Sequence, residues 1–188
     1  MHGSRLRNIL LLFSFLFFLC TSLYSQQWVA THNENQLDDR SFGIVTDRAG
    51  NIYVTGYVTR PATGEDIFVI KYNSAKTEQW RRYYDGPGHS SDKAFGIVVD
   101  ASNNVIVTGY STGVGSQADF TTIKFNSAGT QQWVQRYNAP VNGDDRAFGI
   151  VVDRVGNIYV TGYITLAGTD IYTIKYNSNG IYIWGKVI

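Results

Sequence analysis

One stretch of sequence is written three times in this 188-residue chain, and this repetition constrains the fold more than any other feature. The copies are "RSFGIVTDRAGNIYVTGY" (40–57), "KAFGIVVDASNNVIVTGY" (93–110) and "RAFGIVVDRVGNIYVTGY" (146–163). Most positions are identical between Ala94–Tyr110 and Ala147–Tyr163. A period of about 20–50 residues indicates stacked supersecondary units, each burying its apolar face against the next.

Each repeat predicts four short β-strands. The first strand ("SFGIVTD" or "AFGIVVD") is apolar on both alternating faces, so we expect it to be buried on both sides. The second ("NIYVTGY" or "NVIVTGY") and the third ("DIFVIKYN", "DFTTIKFN" or "DIYTIKYN") are rich in β-branched and aromatic residues. The fourth ("EQWRRYY", "QQWVQRYN" or "IYIWGKVI") mixes aromatic, charged and amide residues, as suits an outer strand.

Four antiparallel strands per repeat are typical of a β-propeller with one blade per repeat. We therefore predict an all-β repeat domain over residues 26–188, with blades at about 41–84, 94–137 and 147–188. An extra outer strand, Gln26–His32, is predicted to precede them. Closed rings use about four to eight blades, so the expected structure is a partial propeller. Its open faces predict either association with other copies or a longer protein of which this chain is the start.

Residues 1–25 resemble a secretory signal peptide, with two arginines before an apolar segment that ends near Cys20. We therefore expect a secreted, periplasmic or cell-surface protein. Without this segment the chain carries 14 basic and 15 acidic residues, which favours neither a nucleic-acid partner nor an anionic membrane surface. Cys20 is the only cysteine, so the mature protein would contain no disulfide and no thiol nucleophile.

The repeats resemble the bacterial β-propeller repeats known as SBBP and, more distantly, NHL repeats. The resemblance is carried by "VVDRVGNIYVTGY" (Val151–Tyr163), "DIYTIKYNSNG" (Asp170–Gly180) and "QQWVQRYNAPVNGDDRAFGI" (Gln131–Ile150). It covers essentially all of residues 26–188. The resemblance implies the propeller fold and a role outside the cytoplasm, and it implies no particular activity.

Three aspartates that precede the inner strands are candidate ligand-facing residues. Asp39, Asp92 and Asp145 recur every 53 residues, each followed by a basic residue. One interpretation is a ring of carboxylates that faces a cation, a sugar or a peptide at one end of the propeller. The alternative, which we favour, is that each carboxylate caps backbone amides or pairs with its basic neighbour.

The other recurring polar and aromatic residues favour structural roles. Asp47, Asp100 and Asp153 open "D-x-x-(G/N)-N" turns that lack the ligands of a calcium loop. The matched tryptophans and tyrosines could stack sugar rings, but blade packing explains them without a ligand. His32 and His89 do not recur, so neither a catalytic triad nor a zinc site is expected. We predict no catalytic residue, no metal and no cofactor.

The leading functional hypothesis is an exported, non-catalytic scaffold that binds a protein or glycan partner through loops at one end of the propeller. Three alternatives stay open at this point. The first is a lectin-like homo-oligomer in which copies close a ring, and the second is a propeller-type hydrolase or lyase. The third is the truncated start of a longer propeller without an independent function.

Overall fold

A computed structural model describes residues 36–188, which form three separate four-stranded antiparallel sheets and no helix. The strands are β1 (Asp39–Thr46), β2 (Ile52–Arg60), β3 (Gly64–Tyr72), β4 (Glu78–Tyr84), β5 (Asp92–Val99), β6 (Val105–Thr112), β7 (Ala118–Phe125), β8 (Gln131–Tyr137), β9 (Arg146–Val152), β10 (Ile158–Thr165), β11 (Thr169–Tyr176) and β12 (Tyr182–Val187). The predicted signal peptide and the predicted outer strand Gln26–His32 lie outside the described residues. Within the described residues, no helix could span a membrane.

Each sheet is a simple meander, with its four strands neighbouring one another in chain order. The all-β prediction and the assignment of one four-stranded blade to each repeat are confirmed. The sheets cover 39–84, 92–137 and 146–187, and within residues 36–188 they form an open arc. We call them blades 1, 2 and 3.

A β-bulge in each inner strand explains why all three repeats have glycine in the motif "VTGY". Phe42, Phe95 and Phe148 are the residues that the register skips, and their rings pack in a row at tilted angles, with centroids 5.1 Å apart at each step. At Gly109, opposite the bulge, a β-carbon would lie 1.8 Å from the carbonyl oxygen of Lys93. Only glycine allows the two backbones to approach this closely.

The blades stack through two cores that lie between them. The inner strand β5 packs against β1, β2 and β3, and β9 packs in the same way against β5, β6 and β7. Apolar residues from both sides of each junction form the clusters centred on Ile67, Val105 and Ile123 and on Ile106, Phe120 and Ile174. Every residue of β7 is buried because blade 2 has a neighbour on each face.

The expectation that all inner strands are buried on both sides is wrong for blades 1 and 3. Ile44 is 69% exposed and Val151 is 61% exposed, whereas Ile97, the counterpart of Ile44 in blade 2, is 9% exposed. Ile44 and Val151 point away from blade 2, on sides where the described residues place no further blade. Periodicity predicts which residues pack between blades, and the number of blades decides whether they are covered.

A tryptophan on the outer strand of one blade packs on a hairpin turn of the next blade and donates a hydrogen bond to it. We call this contact the lock. The Trp80 Nε1 donates a hydrogen bond to the carbonyl of Ser127 over 3.1 Å, and the Trp133 Nε1 donates to the carbonyl of Ser178 over 3.3 Å. Each indole also lies over a glycine of that turn, with φ near +80°. A β-carbon at Gly129 would lie 2.7 Å from the Trp80 ring.

A lysine on the third strand reaches the same carbonyl. The Lys71 Nζ lies 3.2 Å from the Ser127 carbonyl, and the Lys124 Nζ lies 3.1 Å from the Ser178 carbonyl. Lys124 also forms an ion pair with Asp100 of its own blade, at 2.9 Å.

Because of the lock, adding a methyl group should lower the free energy of unfolding more at Gly129 than at another glycine with positive φ. Gly129→Ala should destabilise the protein by about 1–3 kcal/mol more than Gly115→Ala, because the new methyl group must displace the Trp80 indole. Gly115 has a similar φ of +77°, but no atom lies within 4 Å of the place that its new methyl group would take. The control therefore carries only the cost of placing alanine at positive φ, about 1 kcal/mol. Urea unfolding of both variants measures the difference, and equal destabilisation would contradict the lock.

Candidate functional site

The carboxylates of Asp39, Asp92 and Asp145 accept hydrogen bonds from backbone amides. The Asp145 carboxylate accepts hydrogen bonds from the amides of Ala139 (2.6 Å) and Thr165 (2.8 Å). Asp92 accepts equivalent bonds from Gly86 and Thr112, and Asp39 accepts one from Thr59 at 3.2 Å. In this way Asp92 and Asp145 tie the loop that enters their blade to the end of the blade's second strand.

Burial limits what these carboxylates can touch. Asp92 and Asp145 are fully buried, whereas Asp39 is half-buried. The capping alternative of the sequence analysis is therefore observed in the hydrogen bonds of all three. A ligand-facing ring formed by Asp39, Asp92 and Asp145 stays a prediction.

Three carboxylates come together at the junction of blades 1 and 2. One oxygen from each of Asp66, Asp85 and Asp92 lies within 4.8 Å of the other two. Burial, together with the negative charges of Asp85 and Asp66, raises the pKa of Asp92 to about 6 despite its two amide donors. An arginine and a histidine already border the cluster, since Arg60 Nε is 3.7 Å from Asp66 and His89 Nδ1 is 2.6 Å from Asp85.

The next junction repeats only part of this cluster. Asp119 occupies the place of Asp66, and its carboxylate binds Arg136 at 2.6 Å and Ser116 at 2.8 Å. Asn138 replaces Asp85, so the three-carboxylate group is not repeated between blades 2 and 3. In the part of the chain that the structure describes, no other group of three or more His, Cys, Asp or Glu side chains lies this close together. The repeated feature is a buried aspartate paired with an arginine.

The opposite end of the blades is built from the "D-x-x-(G/N)-N" turns. The Asp153 Oδ1 accepts the amides of Val155 (3.0 Å) and Asn157 (2.8 Å), and its Oδ2 accepts the Asn157 side chain at 2.7 Å. Asp47 and Asp100 close their turns in the same way. The hydrogen bonds of the Asn157 side chain and of these amides lower the pKa of Asp153, so its carboxylate is charged at neutral pH.

Two adjoining clefts lie between these turns. The larger, about 400 Å³, lies between the inner hairpins of blades 2 and 3 and includes Lys124 and Asn179. The smaller, about 260 Å³, takes residues from all three inner hairpins, including Arg48. The clefts share four residues, which are Asp100, Ala101, Asp153 and Arg154.

The clefts offer hydrogen-bond donors and acceptors together with positive charge. Arg48 and Arg154 are exposed, whereas the Lys124 ammonium is held between Asp100 and the Ser178 carbonyl. A guanidinium flanked by hydroxyl, amide and carboxylate groups suits a polar ligand with several hydrogen-bonding groups. This arrangement is suited to binding.

The matched aromatic residues are used between blades. Trp80, Tyr57 and Tyr110 are at most 9% exposed, and Trp133 packs into the second core. The ammonium of Lys93 lies 4.3 Å from the Tyr57 ring centre, and the Arg146 guanidinium lies 4.5 Å from that of Tyr110. The packing interpretation is therefore what the structure shows at these positions.

The family model of the SBBP β-propeller repeat matches residues 35–57 and 132–166. Blades 1 and 3 therefore each contain a segment that matches this repeat family. The first matched segment contains β1 and most of β2, and the second contains most of β8 and all of β9 and β10. No curated protein matches the sequence.

Sequence analysis missed the clefts because it treated each SBBP turn alone. The turns were correctly expected to form around Asp47, Asp100 and Asp153, but a cleft needs the turns of neighbouring blades. The regular repeat period was the available signal, since it brings all three turns to one end of the arc. It places the side chains of Arg48 and Arg154 on either side of the smaller Ala101.

The histidines give no catalytic arrangement in the described part of the chain. His89 is exposed and contacts Asp85 at 2.6 Å, without a serine or cysteine partner among its hydrogen bonds. His32 lies outside the described residues. Asp85 belongs to the carboxylate cluster, so the His89–Asp85 pair lies at the end of the blades opposite the clefts.

Asp92 should make the stability of the protein fall as the pH rises from about 4 to about 6. Its folded pKa, about 6, exceeds the unfolded value of 3.8, so in this window the unfolded chain releases a proton that the folded chain retains. The free energy of unfolding of Asp92→Asn relative to wild type should therefore increase across the window, by on the order of 3 kcal/mol. Denaturant unfolding at pH 3.5, 5 and 7 measures this. A difference that is the same at all three pH values would contradict the assignment.

Proposed function

We propose that this protein is an exported, non-catalytic β-propeller scaffold that binds a glycan or protein partner through the two clefts at the turn end of its blades. The observation that carries the proposal is the pair of adjoining clefts, lined by turns of successive blades and sharing Asp100, Asp153 and Arg154. Repetition makes a row of similar sites, which suits a ligand that itself repeats or extends.

The chemistry of the clefts favours a polar ligand with a negative group. Arg48 and Arg154 present guanidinium groups to solvent, while Asp100 and Asp153 already accept several hydrogen bonds within their turns. The two exposed guanidinium groups are therefore the charged groups of the clefts whose hydrogen-bonding capacity is most available to a ligand. Acidic sugars and acidic peptide segments both supply carboxylates that bind a guanidinium in a bidentate manner.

The non-catalytic part of the proposal rests on how the cleft carboxylates are used. Hydrogen bonds to Asn157 and to backbone amides lower the pKa of Asp153, and the Asp100 carboxylate binds Asn104 and Lys124. A general acid or base needs a pKa close to the working pH. Groups committed to turn structure with lowered pKa values are poor candidates for proton transfer.

The proposal that the protein is exported rests on residues 1–25, where arginines precede an apolar segment. The mature part would contain no cysteine, which is compatible with a scaffold that binds glycans or proteins outside the cytoplasm. Fractionation of cells that express the full chain tests this part separately from binding.

Binding to the clefts should depend on Arg154. We expect Arg154→Ala to weaken binding of the best ligand from an array of acidic oligosaccharides and acidic peptides by at least about tenfold, because a charged hydrogen bond is worth about 1.5–3 kcal/mol. The matched control is Arg40→Ala, which removes an exposed arginine at the opposite end of blade 1. Titration of each purified variant measures the change.

Equal binding by wild type, Arg154→Ala and Arg40→Ala would contradict a role for the clefts. Loss of binding in Arg40→Ala alone would place the site at the other end of the blades, near the carboxylate cluster.

A further inference from the structure

Two loops of the same length and backbone path link successive blades at the end opposite the clefts. The first linking loop is "DGPGHSS" (85–91) and the second linking loop is "NAPVNGD" (138–144). In each loop the amide of the second residue donates a hydrogen bond to the aspartate that follows the loop. The amide of the fifth residue donates to the carbonyl of the second residue, over 3.1 Å in the first loop and 3.0 Å in the second. The two loops therefore form a matched pair in one molecule.

A titratable pair in the first linking loop replaces a pair of amides in the second. The His89 Nδ1 lies 2.6 Å from the Asp85 Oδ2, and at the equivalent positions the Asn138 Nδ2 donates to the Asn142 Oδ1, also over 2.6 Å. His89 and Asn142 both have positive φ, at 46° and 52°. The geometry of the side-chain contact is thus the same in both loops, but only the contact in the first loop can change its charge with pH.

Asp85 also brings a third carboxylate to a buried site. Asp66 and Asp92 are buried on β3 and β5, and one oxygen from each of them lies within 4.8 Å of an oxygen of Asp85. The Asp85 Oδ1 is buried and accepts no hydrogen bond from the residues that the structure describes. Such an oxygen can accept a hydrogen bond from a neighbouring carboxyl group that is protonated. The second linking loop has Asn138 at this position, so its junction contains two of the three carboxylates.

The charges of the cluster balance when it holds a proton and the imidazole is charged. The Arg60 guanidinium matches Asp66, and a charged His89 matches Asp85. The third carboxylate, Asp92, accepts two backbone amides instead, and burial together with its acidic neighbours raises its pKa to about 6. Histidine side chains also lose their charge near this pH. As the pH rises to neutral, the site therefore goes from balanced to an excess of about two negative charges.

The other charged groups near the cluster are already paired. Arg136 on β8 binds Asp119 on β7 at 2.6 Å, and Lys93 on β5 binds Glu65 on β3 at 2.7 Å. Burial raises the pKa of Tyr84 on β4, which keeps its hydroxyl neutral at these pH values. The pH response of the cluster therefore depends on its own carboxylates and on the imidazole beside them.

We propose that the first linking loop is a pH-sensitive latch, closed on blade 2 while the carboxylate cluster holds a proton and His89 is charged, and released as the pH rises to neutral. In the closed loop the Gly88 amide donates to the Thr112 carbonyl at the end of β6, over 3.1 Å. Asp85 is the carboxylate that moves, because it lies in the loop and its side chain is 26% exposed, whereas the other two are buried on strands. Release breaks the contact with β6 and loosens the attachment of blade 1 to blade 2 at this end.

Both titrations act in the same direction. A buried carboxyl group with a raised pKa stabilises the closed loop below its unfolded pKa, and this contribution is lost as the pH rises through its folded pKa. A histidine paired with a carboxylate likewise stabilises the closed loop while it is charged and loses that contribution as it deprotonates. The latch should therefore be closed at pH 5 and open at pH 7.5.

Amide hydrogen exchange of the purified wild-type chain, measured by NMR at pH 5 and pH 7.5, tests the latch. The amides of Gly86 and His89 are compared with those of Ala139 and Asn142, which make the equivalent hydrogen bonds in the second linking loop. Intrinsic exchange changes with pH in both loops alike, so the ratio of their protection factors reports on the loops themselves. We expect the protection of Gly86 and His89 relative to their counterparts to fall by at least about tenfold between the two pH values.

Exchanging the side-chain pairs between the loops provides the matched variants. Asp85→Asn combined with His89→Asn gives the first loop the amide pair that the second loop already uses, and it should abolish the pH response. Asn138→Asp combined with Asn142→His completes a group of three carboxylates at the second junction. This variant should make the second loop lose protection at pH 7.5 as the first loop does.

Four results would overturn the proposal. The protection ratio of the wild-type chain could stay constant with pH, the Asp85→Asn and His89→Asn variant could keep the wild-type response, or the second loop could fail to respond after Asn138→Asp and Asn142→His. A first loop that becomes more protected as the pH rises would also contradict the latch, because it would mean that the ionised cluster holds a cation. Since the linking loops lie at the end of the blades opposite the clefts, these outcomes are independent of the proposed ligand site.

Discussion

An indole that lies over a glycine of the neighbouring blade is the contact on which the described structure depends. The position of the indole fixes how closely two sheets approach, and its Nε1 selects one carbonyl of a turn for the hydrogen bond. The lysine of the third strand reaches the same carbonyl, so the outer part of each junction is held at a single point. Toward the axis, an isoleucine over a glycine and a row of packed phenylalanines complete the contact. Blade 2 both presents and receives this set, and the same contacts at successive junctions explain why the chain repeats one sequence.

Because the sides of the blades are used for stacking, the groups that remain for other molecules lie at the two ends. At one end, buried aspartates such as Asp92 and Asp145 hold loops in place. At the other end, the inner hairpin turns leave clefts between them, with Arg154 exposed in both. The exception is the outer side of blade 3, where the stacking chemistry itself is exposed.

The repeat period predicted the four strands of each blade, their order and the turns around Asp47, Asp100 and Asp153, because these depend on local sequence and on alternation. Sequence analysis could not predict that Ile44 and Val151 would be exposed, because burial there depends on how many blades surround a residue. It assigned no role to the glycines of the "NSxG" turns, although the lysine at position 76 was visible as a departure from the pattern. The role of Gly129 appears only in the structure, where the Trp80 indole lies over it.

Amide hydrogen exchange in a Trp133→Ala variant tests most directly whether this lock holds neighbouring blades together. Trp133 belongs to blade 2 and locks onto the Ser178–Gly180 turn of blade 3. In a stack stabilised by contacts between neighbours, loss of one lock should speed exchange in β10 and β11 and leave β2 and β3 protected as in wild type. Unchanged exchange in β10 and β11, or an equal acceleration in all three blades, would contradict the account.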